Sequence, residues 1–255
     1  MKTLIIQSYR TQAVPAWIAR CLASVRAWAQ AKGYDHWLTD DRAFALCGED
    51  YLARVGDNPR SKTNLCRLEL IRSALADGYD LAIWMDADIF VFAPQQLDLA
   101  AAERISFPHE TWLWRNDKGW GFNRTLNNCV IVCPRNDPDL DLIIRATRHR
   151  ALHHPVTINR QVGVDLIRGL HQFLQFPLLG NVGMLSNHSV IALAQNNEWL
   201  MRHQAQYHQT PIYAANLCAS DHLSPVVPEA LTHLAMDMLE QSCGDVINRH
   251  LMAAA

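Results

Sequence analysis

Asp86 and Asp88 stand one residue apart inside an otherwise apolar run, Leu81-Ala82-Ile83-Trp84-Met85-Asp86-Ala87-Asp88-Ile89-Phe90-Val91-Phe92. The flanks are short, β-branched and aromatic, the composition of a buried strand and its continuation. An ionised carboxylate without a partner is costly to bury, so a pair at a strand's end asks for a divalent cation. Hard oxygen ligands suit Mg²⁺ or Mn²⁺, ions that commonly share their shell with substrate phosphates.

The elements that must position this pair are legible around it. Residues 3–7 predict a short buried strand, and Pro15 opens a helix carrying Ile18, Cys21, Leu22, Val25 and Trp28 at helical spacing. Gly33 is placed to end that helix, and a second strand runs from Tyr34 to Leu38. Ser61 is read as the cap of a helix with Leu65, Leu68, Ile71 and Leu75, which stops at Gly78 just before the aspartate strand. Strand alternating with helix argues for a mostly parallel sheet flanked by helices, an α/β fold in which ligands bind beyond the carboxyl ends of the strands. Gln7-Ser8-Tyr9, Thr39-Asp40-Asp41 and Asp86-Ala87-Asp88 all occupy such ends.

The second half is less regular. Arg104–Pro108 and Asn128–Cys133 read as strands separated by a tryptophan-rich loop holding Trp112, Trp114 and Trp120. Exposed aromatics there can stack on the apolar face of a sugar or pack over the sheet as a local core. Helical signals recur at Pro138–Ala151 and Gln161–Leu170, and a tail helix from about Glu229 places Leu231, Leu234, Ala235, Met238 and Leu239 on one face. That tail reads as a docked core or homodimer element rather than a membrane anchor. No repeat or low-complexity linker divides the chain, so residues 1–255 are expected to form a single domain.

Bulk properties exclude some classes. A net charge of −2 and a pI near 6.6 give no nucleic-acid-coating surface. Seven cysteines without a CxxC pair read as reduced core thiols. No signal peptide and no bilayer-length apolar run are seen, so a cytoplasmic location is expected.

With Arg67-Leu68 on a helix, then Gly78-Tyr79-Asp80 and Ile83-Trp84-Met85-Asp86-Ala87-Asp88, the chain resembles the donor-site core of GT-A fold glycosyltransferases. The nearest patterns are the glycogenin-like and lipopolysaccharide galactosyltransferases, the initiating mannosyltransferases, and the xylosyl- and galactomannan galactosyltransferases. The resemblance covers roughly residues 3–135 and is weaker beyond. It implies a GT-A fold with a nucleotide-sugar-binding half (1–135) and an acceptor-side half with a C-terminal helix (136–255). It implies a donor that is a nucleoside diphosphate sugar, a UDP-sugar first among them, and a carbohydrate, glycolipid, protein or small-molecule acceptor.

By the resemblance Asp88 ligates the metal directly, while Asp86 contacts the ribose, or the metal through water. Arg67 takes a donor-binding role, with Lys62 on the same helix a further candidate. Tyr9 could stack on a base and Gln7 read its edge, with Ser8 and Asp40 near them. Asn127, in Asn127-Asn128-Cys129-Val130, inherits contact with the donor sugar, although Cys129 stands where glycine is usual. Gln161 aligns loosely with a glutamine near the reacting carbon of retaining members. Arg160 replaces the aspartate before it, and Asp165 lies one turn beyond. The third metal ligand falls to His222 or its rival His188.

Retention of configuration is accordingly the favoured expectation. The alternatives are a degenerate glycosyltransferase or sugar-nucleotide-binding module without catalysis, and a nucleotidyltransferase. The absence of glycine from Gln7-Ser8-Tyr9-Arg10-Thr11 counts against the last.

Overall fold

A computed structural model describes residues 1–208, 210–219 and 226–252. The chain begins β1 (Thr3–Ser8), α1 (Ala16–Ala31), β2 (Asp35–Thr39), a 3₁₀ turn (Asp41–Cys47), α2 (Glu49–Val55), α3 (Pro59–Ala76), β3 (Leu81–Met85) and β4 (Ile89–Val91). A four-stranded sheet of order β2-β1-β3-β7, closed by β7 (Val130–Pro134), forms its centre; β2, β1 and β3 are parallel and β7 is antiparallel.

Both faces of this sheet are covered, which explains the continuous apolar runs of β1 and β3. Strand residues alternate between faces. Leu4 and Ile6 of β1, Ala82 and Trp84 of β3, and Ile131 and Cys133 of β7 pack against Leu65, Leu68 and Ile71 of α3. Ile5, Leu81, Ile83, Met85, Val130 and Val132 face the other way, onto Val25, Trp28 and Ala29 of α1. Asp86 follows Met85 and continues the parity of Trp84. It therefore emerges on the α3 side.

Asn58, rather than Ser61, caps α3: its Oδ1 accepts from Arg60 N at 3.1 Å and Ser61 N at 3.2 Å. Asn58 precedes Pro59 at the first helical position, so the true start lies three residues earlier than the apolar periodicity indicates.

The tryptophan-rich segment is a β-hairpin, not a loop, made of β5 (Phe107–Asn116) and β6 (Gly119–Leu126). Asn116 Oδ1 accepts from Lys118 N at 2.9 Å, and Gly119 takes φ 115°, closing the turn. Trp112 and Trp114 share a face with Glu110, whereas Trp120 and Phe122 lie on the opposite face with Leu113. Gly121 sits across from Trp114, and a Cβ there would meet the indole ring at 2.4 Å, so the ring lies directly on the bare backbone.

The remaining chain contains α4 (Asp139–His153), α5 (Val164–Leu174), β8 (Leu178–Leu179), β9 (Val182–Met184), α6 (Asn187–Ala194), α7 (Glu198–His208), β10 (Ala214–Asn216), α8 (Glu229–Gln241) and α9 (Asp245–Met252). A second sheet has order β4-β10-β9, and a third has order β6-β5-β8. Helices α6, α8 and α9 enclose Phe90, Phe92, Leu185 and Leu217. The buried face of α8 is Thr232, Ala235, Met236 and Leu239, while Leu234 is exposed, so the tail packs on a stripe rotated from the expected one. Cys21, Cys47, Cys66, Cys129, Cys133 and Cys218 are buried, and Cys243 is exposed. Among the described residues, no helix is long and apolar enough to cross a membrane.

Candidate active site

A cleft of about 690 Å³ opens at the carboxyl ends of β1 and β3. Its floor is the turn from β3 to β4, closed by Ile89 N donating to Asp86 O at 3.1 Å. This turn carries the chain out of the central sheet and into the second, and both aspartates line the cleft.

Asp86 Oδ1 accepts from Trp84 Nε1 at 2.6 Å and lies 3.3 Å from Arg67 Nη1, as the shared parity of residues 84 and 86 requires. No described residue donates to Asp86 Oδ2. Arg67, buried on α3, donates Nε to Thr63 O at 3.3 Å and Nη1 to Asn128 O at 2.5 Å. Its Nη2 has no protein acceptor among the described residues. Asp88 is held from the other side: Asn216 Nδ2 donates to Oδ1 at 2.7 Å, and Ala219 N to Oδ2 at 2.9 Å. Asn216 cannot turn over without loss, because its Oδ1 accepts from Cys218 N at 2.7 Å.

Burial pushes the Asp88 carboxyl up to about 6, with the neighbouring Asp86 charge adding to the rise. Burial also raises Asp86, against the pull of Arg67. The two carboxylates hold their charge against unfavourable surroundings, and a cation between them would relieve this.

The donor set fits Mg²⁺ or Mn²⁺. Asp86 and Asp88 offer hard oxygens at the cleft, and these ions need few protein ligands when phosphates and waters complete the shell. A closed protein cage is not what the residues build: among the described residues, no cluster of three metal-binding side chains occurs. His222 lies outside the described residues. His188 stacks edge-on against Trp120, with ring centroids 5.1 Å apart, and does not line the cleft.

Other expected residues divide sharply. Ser8, Tyr9, Arg67, Asn127 and Trp112 line the cleft. Gln7 does not: it is fully buried, with Nε2 donating to Asp86 O at 3.4 Å and Oε1 paired with His36 Nε2 at 3.1 Å. It braces the turn from beneath and presents no edge to a base. Asp40 caps the 3₁₀ turn and pairs with Arg42 at 2.9 Å, and Lys62 lies 3.6 Å from Asp57. Gln161 accepts from Thr157 N at 2.9 Å, and Asp165 pairs with Arg160 at 2.8 Å; neither lines the cleft. Trp114 and Trp120 are also outside it.

The far wall holds groups that sequence reasoning missed. Glu110 of β5 is buried, and its Oε2 accepts from Asn127 Nδ2 at 2.7 Å and Arg168 Nη2 at 2.9 Å. Asn127 Oδ1 accepts from Cys129 N at 2.8 Å. Asn64 of α3 donates to Asn159 O at 2.9 Å and fills the space beside Gly163, where a Cβ would meet it at 2.4 Å. The only advance signal was the alternation Phe107 to Arg115, which places Glu110, Trp112 and Trp114 on one face once it is read as a strand.

No family model and no curated protein matches the sequence. Among solved structures, the chain is similar to a glycosyltransferase involved in the glycosylation of the major capsid of PBCV-1. The two share 10% identity over 93% of this chain and 100% of that one, with a TM-score of 0.51. The PaToxG glycosyltransferase matches at 10% identity over 94% of this chain and 86% of that one, with a TM-score of 0.37. The chain thus has an α/β fold of GT-A type, with mixed sheets flanked by helices.

Proposed function

We propose that the protein transfers a sugar from a nucleoside diphosphate sugar, a UDP-sugar first among candidates, with Mn²⁺ or Mg²⁺ at Asp86 and Asp88. One observation carries the reading: a pair of carboxylates one residue apart faces a cleft beside a buried arginine with an unspent donor. A cation bound there supplies positive charge to the departing diphosphate. Arg67 Nη2 is the group left to meet a phosphate oxygen, and a buried guanidinium suits that contact. Tyr9 and Trp112 both line the cleft, which supports Tyr9 as a stacking partner for a base and Trp112 as one for an acceptor sugar. Gln161 and Asp165 stand off the cleft wall, so retention through either side chain finds no support in this geometry.

The test is a thermal-shift screen of UDP-, GDP- and CMP-sugars with and without Mn²⁺, followed by donor turnover. A ligand at about 100 times its Kd stabilises by about 2.7 kcal/mol, enough to register. A Mn²⁺-dependent shift with one donor class and at least about 100-fold slower turnover in Asp88→Ala are expected. Equal turnover in the variant and wild type would sink the reading, and tight binding without turnover would leave a sugar-nucleotide-binding module.

A further inference from the structure

The far wall of the cleft is almost fully spent on itself. Arg168 gives Nε to Leu126 O at 2.8 Å and Nη2 to Glu110, and its Nη1 lies 3.6 Å from Asp165 Oδ1. Asn127 has both ends engaged, by Glu110 and by Cys129 N. Asn64 donates to Asn159 O and faces the Asn128 amide at 3.4 Å. One strong acceptor stays over: Glu110 Oε1, which no described donor reaches, on a residue that lines the cleft. Its twin Oε2 is pinned by two donors, so Oε1 has a fixed direction.

The wall also lies within reach of the metal corner. Asn127 Nδ2 is 3.9 Å from Met184 Sδ, Met184 pairs with Asn216 across β9 and β10, and Asn216 holds Asp88. Glu110, Asp86 and Asp88 line the same cleft, and with a diphosphate at the aspartates the sugar is the part of the donor left to face Glu110.

Resting on the reading above, we infer that Glu110 Oε1 receives a hydroxyl of the donor sugar and selects a neutral hexose over a uronate. A hydroxyl brings the proton that an anionic acceptor lacks, and a charge-assisted hydrogen bond is stronger than a neutral one. A sugar carboxylate brings no proton and a like charge to Glu110, and both cleft-lining cations beside it are engaged, Arg168 with Glu110 and Arg160 with Asp165.

Glu110→Gln weakens this preference for a geometric reason. The donors Asn127 Nδ2 and Arg168 Nη2 require an oxygen at the Oε2 position, so the amide NH₂ is turned into the cleft. The probes are UDP, UDP-glucose, UDP-galactose and UDP-glucuronate, titrated calorimetrically with Mn²⁺ into the full chain, wild type and variant.

UDP alone is expected to bind both proteins equally. Wild type should prefer its better hexose donor over UDP-glucuronate by about tenfold or more, and the variant should lose about tenfold of that ratio. An unchanged ratio in a folded variant that still binds UDP would overturn the inference. So would equal affinity of wild type for hexose and glucuronate donors, a comparison that decides alone if the variant does not fold. Failure of UDP to bind wild type would instead defeat the UDP-sugar reading of the cleft, and this inference with it.

Discussion

Asp88→Asn separates what Asp88 does for the site from what it does to the fold. The carboxyl is 9% exposed and its titration is lifted from 3.8 to about 6. At about 1.4 kcal/mol per pH unit, that rise makes the ionised form about 3 kcal/mol less favourable in the folded chain than in the unfolded one. An acid raised on folding carries this penalty above its folded value and sheds it as pH falls toward 3.8. Asparagine removes the charge but can satisfy only one of the donors, Asn216 Nδ2 and Ala219 N, that meet Asp88. Leaving the other buried and unmatched costs about 1–3 kcal/mol.

The two effects nearly offset. In EDTA at pH 8 the variant should match wild type or exceed it by up to about 2 kcal/mol. At pH 5, where wild-type Asp88 is largely protonated, the balance should move against the variant by about 1 kcal/mol. Saturating Mn²⁺ should stabilise wild type only. Urea unfolding at both pH values, with and without metal, reads all three. A variant destabilised by more than about 3 kcal/mol at pH 8 without metal, or a pH-independent difference, would refute the claim that this carboxylate strains the fold.

Two other outcomes are expected. Trp112→Ala should raise the acceptor KM about tenfold while leaving donor hydrolysis unchanged, whereas Trp120→Ala, on the opposite hairpin face, should spare both kinetic quantities; initial-rate kinetics on the two variants check this. His208 is buried, donates to Gly180 O at 3.2 Å and is lowered from 6.5 to about 4, chiefly by burial, so it is native in its neutral form. Its contribution is complete above 6.5 and is lost as pH falls toward 4, by up to about 3 kcal/mol, opposite in sign to Asp88. His208→Gln should flatten that part of the stability curve in acid denaturation, and an unchanged slope would count against the assignment.

How far the sequence discloses this protein depends on the range of the signal. The β1–α1–β2 and α3–β3 successions are local, and so was the aspartate turn. Gln7 shows where locality misleads. Being polar at a strand's end marks it for the site, but the parity of β1 turns the side chain under the turn rather than into the cleft. The tryptophan segment was hidden by its aromatic bulk, although the Asn116–Gly119 turn chemistry was in plain sight. Glu110 and Arg168 are 58 residues apart, and each alone reads as an ordinary surface charge. Gln161 and Asp165 reverse the case: a suggestive local pair, consumed by neighbours at Thr157 and Arg160.

The passage of Met85–Ile89 from one sheet to another bears on the order in which the molecule acquires competence. Asp88 finds its side-chain partner 128 residues away at Asn216, and Arg67 reaches the carbonyl of Asn128 across 61. Such contacts close long loops and form late, after helices and neighbouring strands. If the cleft takes a sugar nucleotide as proposed, its capture should therefore appear only in the final refolding phase. A nascent chain that has not yet delivered β10 would hold a formed β1–β3 core with Asp88 still lacking its side-chain partner.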